Sequence, residues 1–217
     1  MVWGRSDGTV GCMSSTSSSV GQVTLVLESL AEAPSEPDSV ADAPLVAFDA
    51  FLTDQHIYGW MRLAADRLTD VLNSQAELSL VNVQLERLPD GRMEWHDRLV
   101  LDRDRLLAVR AGAPRGDPAR REHLRLHPLV VQAGPYLIGG FLHAHPGVEP
   151  RAEIESRPTM VPLSLGWLEH WVDGRRRAQW PGTILFNRRL VDAMVVVSED
   201  DLEFGVTSYP IQAGTGS

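Results

Sequence analysis

The chain has 217 residues, 43% of them hydrophobic, which is enough to fill a packed core and excludes wholesale disorder. Its formal charge of −9, from 29 acidic and 20 basic residues, sets up an average field that repels nucleic acid and anionic membrane surfaces. A lone cysteine, Cys12, leaves no internal disulfide and no cysteine-based zinc site, which points to a reducing, cytoplasmic setting.

All 20 basic residues are arginine, and codon bias accounts for this more simply than selection for forked hydrogen bonding. Residues 1–22 are small and polar, with Arg5 the only early positive charge. The first apolar run, "VTLVL", is short and ends at Glu28, a poor match to a signal peptide, and Met13 is an alternative initiator. No stretch approaches the roughly 18 apolar residues of a membrane helix. "QVTLVLES" reads as a lone strand or a tail. Residues 30–44 combine three prolines with acidic side chains, so residues 1–44 read as a flexible N-terminal segment.

From residue 45 the pattern is β. "VAFDAFL" and "IYGWMRLA" flank the polar link "TDQH", a hairpin signal. Asp66 is placed to cap a short helix with Leu68, Val71 and Leu72 on one face, and Asp70 and Asn73 suit local backbone capping. "ELSLVNVQLERL" reads as a strand, "PDG" at residues 89–91 as a turn, and "DRLVLDRDRLLAVRA" as two strands around a charged turn.

The plan then recurs. Gly140 and Phe141 answer Gly59 and Trp60, Gly174 answers Gly91, and Asn187 and Arg188 answer Asp102 and Arg103. The expected fold is mainly β: two tandem small five-stranded barrels at residues 45–111 and 129–197, joined by residues 112–128 with a short helix starting at Asp117 and Pro118, and followed by a tail at 198–217. Trp60, Phe141, Trp167 and Trp171 fall in strands, where large rings stabilise a small core. One unit of about 65 residues buries little apolar surface, so the two are expected to pack together and to keep edge strands for a protein partner or self-association.

A glycine-bearing strand leading into Arg67, Leu68, Thr69, Asp70, Val71, Leu72 and Asn73 resembles an uncharacterised bacterial family of small Sm-like, SH3-like barrel domains. The resemblance implies an RNA-base site at Asp70, Asn73 and Arg103, with Arg105 beside it. Here Asp104 follows Arg103 where that site has glycine, and the second unit has "ESRPTM" in place of the Asp and Asn. Asp102 and Asp104 also offset the pull of Arg103 and Arg105 on a phosphate.

Outside the resemblance, Arg175, Arg176 and Arg177 form the most basic run, near Trp171 and Trp180, and offer an alternative grip on single-stranded nucleic acid; a solvated hairpin tip is the simpler reading. His143 and His145, two residues apart on a strand, share one face, and a metal-dependent enzyme using this pair, with His170, Glu169 or Asp173 as a third ligand, is a second alternative; surface positions before the turn at Pro146 and Gly147 are the simpler reading. No nucleophile elbow, P-loop or dinucleotide fingerprint occurs, so no catalytic set and no cofactor is expected, and a binding or assembly module is the leading expectation.

Overall fold

The computed structural model describes residues 43–112, 124–198 and Leu202. The expected strand near residue 24 and the linker helix at Asp117 lie outside the described residues. Among the described residues no helix is long and apolar enough to cross a membrane.

In chain order the elements are β1 (Leu45–Phe51), β2 (Gln55–Arg62), α1 (Leu68–Ser74), β3 (Glu77–Arg87), β4 (Met93–Asp102), β5 (Ala108–Arg110), β6 (Arg125–Ala133), β7 (Tyr136–Ala144), α2 (Pro150–Ser156), β8 (Met160–Val172), β9 (Arg175–Asn187) and β10 (Ala193–Val196). Among the described residues the chain is mainly β, but ten strands form one antiparallel sheet that is not closed into a barrel, in the order β10-β6-β7-β8-β9-β5-β1-β2-β3-β4. The reason is local to β5. One of its edges pairs with β1 and the other with β9, so the strand edge that would shut the first half is used on the second.

The two half-sheets have the same internal order, β5-β1-β2-β3-β4 and β10-β6-β7-β8-β9, and the repeat extends to details. Ala50 faces Val109, and Val131 faces Met194. The β2–β3 and β7–β8 ladders both slip, at Tyr58/Trp60 and at Gly139/Phe141. Beside these bulges Asn82 and Leu165 adopt φ of 48° and 49°, a conformation rare for residues with a side chain. Short 3-10 turns at Arg103–Arg105 and Arg188–Leu190 are capped alike, Asp102 accepting from the Asp104 amide and Asn187 from the Arg189 amide.

α1 buries Leu68, Val71 and Leu72, the three residues its periodicity selects. Its N-cap is Arg67 rather than Asp66, and the Arg67 side chain makes no capping hydrogen bond. Asp70 instead accepts two bonds from the Arg67 guanidinium, at 2.9 and 3.1 Å. α2 has no counterpart in the sequence reading, although Pro150 at its first turn is a standard start signal.

The two cores interleave. Met160 and Leu185 from the second half pack in the first core with Phe48, Leu72 and Val109. Phe51, Leu88, Leu107 and Ala108 from the first half pack in the second core with Ile138, Leu163 and Phe186. Alternation on β9 explains this, because Ile184 and Phe186 face their own half and Leu185, between them, faces the other.

Candidate functional site: the junction and the two free edges

The junction is built from short-range consequences of strand geometry. β5 and β9 pair through Ala108–Phe186, Val109–Leu185 and Arg110–Ile184. At one end of these strands, Asn73 on α1 grips the backbone of Met160, donating to its carbonyl at 3.1 Å and accepting from its amide at 2.9 Å. At the other end the β8–β9 hairpin turns tightly through Asp173 and Gly174, with φ of 47° and 68°. The Asp173 amide donates to the Leu88 carbonyl at 2.9 Å, joining the two hairpin tips. The Tyr136 hydroxyl donates to the Gln55 carbonyl at 3.3 Å.

A buried polar cluster lies between these ends. His56 Nε2 is 2.6 Å from Asp49 Oδ1, its Nδ1 is 3.7 Å from Glu86, and Glu86 accepts two bonds of 2.9 Å from Arg177. Burial opposes a charge on His56, but hydrogen bonds to Asp49 and Glu86 outweigh it and raise its pKa from 6.5 to about 9. Burial likewise pushes Glu86 up, and His56 and Arg177 more than reverse this, so its pKa is lowered. His170, with ring centroids 6.2 Å from His56, has no hydrogen-bond partner on either nitrogen among the described residues. Burial, then the neighbouring charges of His56 and Arg177, lower its pKa to about 4. Phe51 stacks on His56 and meets Tyr136 edge-on, closing the cluster with apolar surface. Burial raises the Tyr136 phenol.

The residues singled out in the sequence are placed as follows. Arg103 donates to the Leu72 carbonyl at 3.0 Å and pairs with Asp104 at 2.7 Å, so Asn73 and Arg103 do share one end of the sheet. The Asn73 amide is engaged with Met160, a partner 87 positions away rather than the local backbone. Arg105 is exposed beside Arg103. Arg175, Arg176 and Arg177 start β9 at its opposite end, so the two arginine groups do not form one surface. Arg176 pairs with Glu169 and Arg177 with Glu86. His143 contacts Ser164 Oγ at 2.7 Å, whereas His145 lies past the end of β7 and contacts Glu153 at 3.2 Å. Among the described residues no group of three or more His, Cys, Asp or Glu side chains is arranged to hold a metal.

β4 and β10 are the outer strands, with no second strand partner among the described residues. Both carry exposed apolar side chains: Met93, Trp95 and Val100 on β4, and Val195 and Val196 on β10. No family model, curated protein or solved structure matches the chain.

Proposed function

We propose that this chain is a non-enzymatic binding or assembly module of two five-stranded units of Sm-like or SH3-like character, and that its working surfaces are the outer strands β4 and β10. One observation carries the reading. Val100 on β4 is 66% exposed, whereas Leu185, at the same place on β9, is fully buried because β5 lies against it. A strand edge that exposes a large apolar side chain and a row of unpaired backbone groups is a ready template for strand addition. A nucleic-acid grip has less support, since Arg176 and Arg177 are paired with carboxylates and the amide of Asn73 is occupied.

The test compares wild type with Val100→Lys by light scattering and by affinity capture from native cells. Association with itself or another protein that the lysine removes is expected. A monomer that captures nothing overturns the reading.

A further inference from the structure

Because the two half-sheets repeat, the junction inside the chain is a template for one outside it. β10 stands to β6 as β5 stands to β1, 85 positions on (Val109 to Met194), and β9 stands to β8 as β4 stands to β3, again 85 positions on (Glu94 to Gln179). Inside the chain, β5 and β9 pair through Ala108–Phe186, Val109–Leu185 and Arg110–Ile184. Resting on the assembly reading, we infer that the occupant of the β4 edge is a second copy of this chain, whose β10 adds head to tail in the register Ala193–Leu101, Met194–Val100 and Val195–Leu99.

Three further features agree with this placement. Val100 takes the place of Leu185, whose side chain leaves its own half to enter the neighbouring core. Trp171, 57% exposed, takes the place of Leu88, which is 6% exposed because it packs in the other half's core. Beside Trp171 is an open cleft of about 320 Å³ lined by Gln132, Pro135, Tyr136, Glu169 and His170. The cleft lies where the first half receives the β8–β9 hairpin, so it is the receptor for the β3–β4 hairpin of the next copy. Third, the counterpart of the Arg177–Glu86 ion pair is Arg92 of one copy facing Glu169 of the other, an attractive match.

The outer junction is weaker than the inner one. Gln132, Asp192 and Glu155 stand where the inner junction has Phe51, Leu107 and Asn73, which removes apolar contact and the backbone clamp. Association is therefore concentration-dependent. A head-to-tail contact generates a ring or a filament, and a closed ring leaves no strand edge open.

The experiment uses the full chain with Cys12→Ser and two single variants, Val100→Cys and Met194→Cys. Paired residues in an antiparallel ladder lie about 4.5 to 5.5 Å apart at Cα, within disulfide range. Mixing the two variants under mild oxidation is expected to give a covalent dimer, while Val100→Cys alone gives none. Light scattering of wild type across a concentration series is expected to reach at least twice the single-chain mass, and Val100→Lys to return it to one chain with unchanged melting temperature. Self-linking of Val100→Cys, which reports a symmetric β4–β4 contact, overturns the inference, as does a wild type monomeric at every concentration. In the monomeric case, capture of another protein that Val100→Lys abolishes leaves the assembly reading standing, and no capture removes both.

Discussion

Part-buried His56 and buried His170 shift in opposite directions, which should make stability a bell-shaped function of pH. His56 titrates at 6.5 when unfolded and about 9 when folded, so its contribution is complete below pH 6.5 and lost as pH rises through 9. At roughly 1.36 kcal/mol per pKa unit, the loss is about 3 kcal/mol. His170 runs the other way. Its folded value of about 4 means that its unfolded form binds the extra proton first, so stability falls by a similar amount, about 3 kcal/mol, as pH drops from 6.5 to 4. The lowered carboxyls of Glu86 and Glu153 add to the acid loss. Urea unfolding followed by tryptophan fluorescence from pH 4 to 9.5 should therefore peak near pH 6.5. His56→Gln should flatten the alkaline limb, and His170→Phe should shallow the acid limb while leaving the alkaline one. A wild type equally stable at pH 6.5 and 9, or a His56→Gln variant that keeps the alkaline decline, refutes the charge assignment.

Other substitutions test the junction and the packing. Asn73→Ala strands the Met160 amide and carbonyl and should cost about 2 to 3 kcal/mol in urea unfolding; Asn73→Asp, which keeps the acceptor but cannot donate, should also destabilise. Leu185→Ala opens a cavity in the first core although it changes the second half, and should cost about 2 to 5 kcal/mol by the same measurement. A Cβ at Gly139 would come within 2.2 Å of the Trp167 ring, so Gly139→Ala should cost at least about 1 to 3 kcal/mol, partly recovered by adding Trp167→Leu.

The local half of this architecture was legible because its signals lie close together in the chain. The β1–β2 hairpin, the buried face of α1, the turn at Asp90 and Gly91 and the charged 3-10 turn after Asp102 each depend on a few consecutive residues. The recurrence of Gly59, Gly91 and Asp102 as Gly140, Gly174 and Asn187 exposed the repeat for the same reason. What escaped depends on distance. Nothing near Ala108 announces that its second edge meets Phe186, so the single sheet was not readable and separate closed barrels were the natural expectation. Asn73 looks like a capping residue until its partner at Met160 is known, and His56 looks like part of a turn until Asp49, Glu86 and Arg177 surround it. α2 was missed despite local signals, the Pro150 start and the Arg151–Glu155 pair at 3.2 Å, because its half of the repeat lacks the Asp and Asn of α1.

The sharing of core residues across the middle of the sheet has a consequence for how the molecule comes apart. Neither half retains a full set of apolar neighbours without the other, so a polypeptide severed between residues 112 and 124 should survive as two fragments that hold on to each other. Expressed singly, each fragment should stay unfolded, and mixing them should restore one shared melting transition.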